Sequence, residues 1–227
     1  VELPELPDLQ CALLPLCFSA AARANRLLRV VPHDDIAPYA ALHDDEVWTT
    51  LCSLLHVDPT DHETIAARDL GTLPMRFGGL GLRDARRTSP AAYWAAVADA
   101  LPVLEEKLKP LAEFAVAQLD SPQPAASAGL RAAQEAAALL DREQDMNRPT
   151  WERPTWAALA AGARPPEPTE AEPGEWKHGW QYYASSARET YHQKHRVLPY
   201  RFPNARGLIL SQSGPKSGRA LTALPTS

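Results

Sequence analysis

The sequence has few cysteines, few aromatic residues and no long apolar run, and each shortage removes a class of protein. Cys11, Cys17 and Cys52 are the only thiols in the 227 residues. They form an odd set with no C-x-x-C pair, so neither a disulfide framework nor a zinc ribbon is supported. A reducing, intracellular setting is expected, with nucleus and cytoplasm both open. No apolar run approaches the ~18 residues of a membrane span, and no charged-then-apolar leader is visible, so no membrane partner is expected. The net charge of -5 is too mild for an acidic tail and has the wrong sign for a uniformly basic nucleic-acid binder. Local charge therefore carries the question. The chain also opens at Val1 rather than methionine, which suggests a fragment, a processed chain or an incomplete gene model.

Motifs that would carry chemistry are equally scarce. FGGLGL at residues 77–82 fails as a dinucleotide fingerprint: Asp84 stands where the last glycine belongs, and no buried strand precedes it. SQSGPKSGR, beginning at Ser211, resembles a phosphate-binding loop only faintly. Pro215 separates Gly214 from Lys216, Ile209 replaces the earlier glycine, and too little chain follows for the helix that would hold the anion. A sharp turn is the better reading. His43, Asp44, Asp45 and Glu46 are consecutive, as are His33, Asp34 and Asp35, but neighbouring helical residues diverge by about 100° and rarely meet on one ion. Leu42-His43-Asp44-Asp45 lacks the aromatic and the strand alternation of a polymerase Y-x-D-D hairpin. No nucleophile elbow occurs, and the seven histidines have no catalytic partners. No catalytic residue, metal site or cofactor is expected.

What the chain does have is alanine, leucine and 22 prolines, a mixture that suits helices cut by Pro-rich joints. The expected fold is an all-α irregular bundle with a short extended Gly-rich segment near residues 73–82 and Pro-rich linkers. Projecting residues 20–31 at 100° per residue places Ala20, Ala24, Leu27, Leu28 and Val31 on one arc and Arg23, Arg26 and Arg29 opposite, up to a stop at Pro32. Those arginines read either as a solvated face or as contacts spaced along a phosphate backbone. Asp44 is the expected N-cap of a helix carrying Val47, Leu51, Leu54 and Leu55, with Asp45 and Glu46 in its first turn. Ser89 and Pro90 predict another helix start, running to Pro102. A further helix follows, with a kink or break at Pro110.

Residues 121–127 read as a joint, and 130–144 as a helix. NRPTWERP and GARPPEPTEAEPG read as linkers too rich in Pro, Glu and Thr to bury much. The division expected is a helical domain over 1–120, a helix with linkers over 121–174 and a small basic module over 175–227. In that module Trp176, Trp180, Tyr183, Ala187 and Tyr191 form an aromatic helical stripe, read as core in preference to base stacking. Arg188 to Arg219 hold seven Lys or Arg against Glu189 alone, so charge is segregated along the chain.

Five blocks carry a family resemblance. They are RLLRVVP (26–32), HDDEVWTTLCSLL (43–55), LPMRFGGLGLRDARRTSPAAYWAAVADALPVL (73–104), EWKHGWQYYASSARETY (175–191) and ARGLILSQSGPKSGRALTALPTS (205–227). In that order the chain resembles the region following the reverse-transcriptase domain in non-LTR retrotransposon polyproteins of protists. The resemblance implies a helical thumb and connector that help hold the template-primer duplex in RNA-directed DNA synthesis. By analogy Arg23, Arg26 and Arg29 would contact phosphate, and Arg76, Arg83, Arg86 and Arg87 are the further candidates. The implied partners are nucleic acid and the palm and fingers of the same polyprotein. This chain has no Y-x-D-D palm motif, no fingers and no cysteine-rich zinc module. Nucleotidyl transfer needs metal-binding carboxylates on several palm segments, so the chain is expected to be inert alone. The competing reading is a helical protein-interaction module or an unselected retroelement remnant. The three glycines, Gly78, Gly79 and Gly81, read as tight turns before a helix rather than as a phosphate cradle.

Overall fold

A computed structural model of the chain describes residues 3–6, 8–143, 151–166, 178–214 and 217. The protein is all-helical, with no strand among the described residues. The helices are α1 (Leu9–Pro15), α2 (Asn25–Val30), α3 (His33–Leu54), α4 (His62–Gly71), α5 (Ala85–Lys107), α6 (Lys109–Leu119), α7 (Ala128–Arg142), α8 (Trp156–Ala160), α9 (Trp180–His192) and α10 (Pro203–Ser211). No helix of the described residues is long and apolar enough to cross a membrane.

Two compact units are built from non-consecutive stretches. The first comprises Val1–Asn25, Pro38–Arg86 and Glu189–Ser227, and the second Arg26–Ala37 and Arg87–Arg188. The core of the first unit joins Leu13, Leu16, Cys17 and Ala21 to Val47, Trp48, Leu51, Cys52 and Leu82. Burial raises the Cys17 thiol to about 11, which makes it a core apolar group rather than a reactive one.

The second unit is organised around Trp94, which is fully buried. Trp151 and Trp180 meet it edge-on, with ring centroids 5.3 and 6.0 Å away, in the arrangement that the ring quadrupoles favour. Trp156 lies 6.2 Å away. Trp151 belongs to a segment whose composition reads as linker, and Trp156 lies between the two such segments; both are core residues. Thr155 explains the short helix there, because its hydroxyl accepts from the Ala158 amide as an N-cap. The stripe on α9 is core in part: Trp180 and Ala187 are buried, with Ala184 beside them, and Tyr183 packs against the same cluster while partly exposed, whereas Tyr191 is only partly buried and outside the cluster; Trp176 lies outside the described residues. Alanines of α5 and α7, including Ala95, Ala98, Ala133 and Ala136, complete this core. Arg188 closes its edge with a two-bond pair to Glu143 at 2.6 and 3.1 Å and a bond to the Arg87 carbonyl.

Helix starts differ most from the sequence reading. Residues 20–31 are not one helix: a π-turn covers Leu16–Ala20, turns occupy 21–24, and α2 begins at Asn25. Asp44 does not start a helix, since α3 begins eleven residues earlier, with Asp34 and Asp35 in its first turn. Ser89 and Pro90 lie inside α5, and the helix continues through Pro102 to Lys107. An interior proline costs about 3 kcal/mol or more, and burial of Ala91, Trp94, Ala95, Ala98 and Leu101 along the same helix offsets it. The break expected near Pro110 is present, with Leu108 at φ -145° and Pro110 in the first turn of α6. The joint at 121–127 is stitched by Gln134, whose amide donates to the carbonyls of Gln118, Ser121 and Gln123 and accepts from the Ala125 amide.

Asp44 caps a different helix from its own. Its carboxylate is buried and accepts from the amides of Ala85 at 2.7 Å and Arg86 at 3.1 Å, the first two residues of α5. Those amides would otherwise lack partners. Burial, then the neighbouring Asp84, push the Asp44 carboxyl up to about 7, while the two amide bonds pull the other way. A carboxyl that holds its proton more tightly when folded lends stability at low pH. That contribution is lost as pH rises from the ordinary carboxylate value of 3.8 toward about 7. Urea unfolding should therefore show stability falling across this window and levelling above it, and Asp44→Asn should flatten the slope. A slope unchanged in Asp44→Asn would assign it to another group.

Candidate nucleic-acid interface

The seven candidate arginines do not form one surface. Arg29 is tied down by Asp99 at 2.8 Å and Gln181 at 2.9 Å, within the second unit. Arg86 is exposed, with its Nε 3.5 Å from the Asp44 carboxylate. The Arg76 guanidinium sits 4.9 Å from the Phe77 ring centroid, and Arg76 and Arg87 have further partners within the protein. Arg23, Arg26 and Arg83 are exposed. Among the described residues their side chains make no ion pair or hydrogen bond. Arg26 belongs to the second unit, Arg23 and Arg83 to the first.

The stripe of Arg23, Arg26 and Arg29 is therefore broken by local structure. Arg23 precedes α2, so the projection that aligned it with Arg26 does not apply, and Arg29 is committed to an acid. Arg23 and Arg83 are related differently. Ala21, two residues before Arg23, and Leu82, next to Arg83, lie in the same buried cluster, and the Cys17 thiol points at the Leu80 carbonyl at 3.5 Å. Two uncompensated guanidinium groups thus flank residues of one core.

The glycine segment between α4 and α5 is folded back on itself rather than drawn out. Pro74 is extended, Met75–Phe77 form a 3-10 turn, and Gly78 turns left-handed at φ 83°. The amides of Leu80 and Gly81 return to the carbonyls of Gly71 and Leu73. Gly81 also needs positive φ, at 83°. Gly79 is needed for space, since a Cβ there would stand 2.1 Å from the Leu73 carbonyl oxygen. The amides of Phe77, Gly78, Gly79, Leu80 and Gly81 are all spent on carbonyls of the same loop and the end of α4, so the glycines offer no phosphate cradle.

The C-terminal part of the first unit clamps this loop. The Gln193 side chain donates to the Phe77 carbonyl at 2.8 Å, and the Gly214 amide donates to the Arg76 carbonyl at 2.8 Å. A Cβ on Gly78 would meet the Ile209 carbonyl at 2.8 Å. The GGLGLR run and the S-Q-S-G run, more than a hundred residues apart, are thus in contact; Pro215, Lys216 and Arg219 lie outside the described residues. Periodicity could not reveal this clamp, because it runs through backbone carbonyls. Arg196, exposed and unpaired among the described residues, was also absent from the sequence-based candidates.

The consecutive residues His43 to Glu46 do not converge. His43 reaches the Ala21 carbonyl at 3.3 Å, Asp45 pairs with Arg68 at 2.6 Å, and Asp44 serves α5. Among the described residues one grouping has metal-ligand spacing: His33, Asp34 and Glu135, with ligand atoms within 4.8 Å of one another and both acids exposed. Compared with protein-family models, curated proteins and solved structures, the chain matches none.

Gly79→Ala should destabilise the first unit by about 3 kcal/mol or more, because backbone rather than a movable side chain fills the space. Gly81→Ala should cost about 1–2 kcal/mol, the penalty of left-handed backbone. Denaturant midpoints of the two variants check the order, and equal losses would contradict the packing argument.

Proposed function

We propose that this chain is an accessory helical region of a non-LTR retroelement reverse transcriptase, the thumb and connector beyond the polymerase domain, and that it contacts the template-primer backbone electrostatically. The observation that carries this reading is the pair Arg23 and Arg83, exposed, unpaired among the described residues and flanking one core. An arginine without an acid partner keeps its charge available to phosphate, and each phosphate neutralised releases condensed counterions. The residues that resemble the family most specifically support the same reading, because two of their runs meet in the clamped loop. Chemistry belongs to palm residues of the parent polymerase, and this chain supplies positioning alone.

A second reading, a helical protein-interaction module, is favoured by one specific feature. Leu108, Leu111 and Phe114 are each about half exposed at the start of α6. An apolar set of this kind more often serves a protein surface than a phosphate backbone.

Binding of a labelled RNA–DNA duplex, measured from about 50 to about 200 mM salt, separates the two. The electrostatic reading expects affinity to fall steeply with salt, and the double variant Arg23→Ala/Arg83→Ala to reduce the logarithmic slope by about two. An unchanged slope in the double variant, or no duplex binding at the lowest salt, would contradict it.

A further inference from the structure

Taken alone, the run from His33 to Asp35 offers no metal site, because neighbours on a helix diverge. The fold supplies what the run lacks, a third ligand from another helix. Glu135 of α7 joins His33 and Asp34, the first two residues of α3, and the ligand atoms of all three lie within 4.8 Å of one another. All three belong to the second unit. The grouping therefore joins two helices of one compact body.

The three side chains have little else to hold them. The His33 ring is mostly buried, its side chain 15% exposed. Its Nε2 stands 3.5 Å from the Asp34 carboxylate, beyond the ~3.2 Å of a good N–H···O bond. Its Nδ1 is buried and has no hydrogen-bond partner. A neutral imidazole carries an unshared pair on one nitrogen, and no hydrogen bond among the described residues uses it. A buried ring nitrogen without a partner is uncommon in a histidine that only fills a core. Asp34 and Glu135 are exposed, and among the described residues neither pairs with Lys or Arg. Two carboxylates this close repel each other and gain from a cation between them. The partial positive charge at the start of α3 opposes a cation, and the first-turn acids Asp34 and Asp35 offset it.

Chemistry selects the ion. One imidazole nitrogen with two carboxylates suits zinc and the other late first-row divalent metals, whereas calcium and magnesium take oxygen ligands. Four-coordinate zinc, with bonds of about 2.0–2.1 Å, sets its ligand atoms about 3.4 Å apart. The separation of His33 Nε2 from Asp34 already matches, and the exposed Glu135 side chain can close the remainder by rotation.

We propose that His33, Asp34 and Glu135 bind one zinc-type divalent ion, with water in the fourth position, and that the ion clasps the start of α3 to α7. The site stands apart from the nucleic-acid reading and does not depend on it. Isothermal titration calorimetry of the full chain with zinc chloride tests it, in a Cys11→Ser background because the Cys11 thiol is exposed and would compete. One equivalent should bind, and His33→Gln and Glu135→Gln should each weaken binding at least about tenfold. Magnesium should bind at least about tenfold more weakly than zinc. Glu135 is on the surface, so circular dichroism of Glu135→Gln should match the parent, and its loss of zinc cannot then come from unfolding. Zinc should also raise the thermal midpoint of the parent and leave that of Glu135→Gln unchanged. The site is overturned by an absence of saturable zinc binding, or by zinc binding that either substitution leaves intact. Magnesium binding as tight as that of zinc would mark a mere acidic patch and overturn it too.

Discussion

A buried carboxylate in the middle of one helix fixes where another begins. Asp44 lies within α3, yet its oxygens accept from the first two amides of α5. A helix N-terminus carries partial positive charge and unpaired donors. A side chain that satisfies them from outside defines the direction in which the chain enters the helix. The loop before α5 is thereby fixed at its far end, and Arg83 and Arg86 have defined positions on either side of the cap. Burial makes the arrangement sensitive to protonation, because a carboxyl withdrawn from water beside Asp84 resists ionisation.

The rest of the first unit elaborates this fixed loop. Gly79 admits the Leu73 carbonyl, and Gly78 and Gly81 make left-handed turns. Gln193 and Gly214 reach the loop from the C-terminal segment through backbone carbonyls. The glycines thus serve close packing between two distant stretches of chain rather than the binding of an anion. Around this scaffold stand Arg23, Arg83 and Arg196, cations without acid partners among the described residues.

Helix existence was legible in the sequence, helix starts were not, and the reason is physical. The apolar patterns behind α6 and α7 arise from burial on one face, which periodicity reports directly, whereas α5 is buried on all sides from Thr88 to Ala95 and carries no such period. Capping is local only when the cap precedes its helix. Asp44, Ser89 and Pro90 were read as local signals, but the cap of α5 comes from 41 residues away, and buried alanines and Trp94 carry the helix past its prolines. Trp151 looks like a linker residue because prolines and charged residues surround it; the partner rings, Trp94 and Trp180, lie elsewhere in the chain. Of the candidate arginines, Arg23 and Arg83 are open, whereas Arg29 is consumed by an aspartate 70 residues away. Residue type and spacing can nominate a cation, but only tertiary structure shows whether it is already neutralised.

Since the loop and its cations depend on the cap of α5, amide hydrogen exchange at Ala85 and Arg86 tests the account most directly. If the Asp44 carboxylate holds both amides, they exchange only through opening of the first unit and are as protected as the interior amides of α5. Rapid exchange at both positions, at the rate of an exposed turn, would show that nothing caps α5 and would contradict the account.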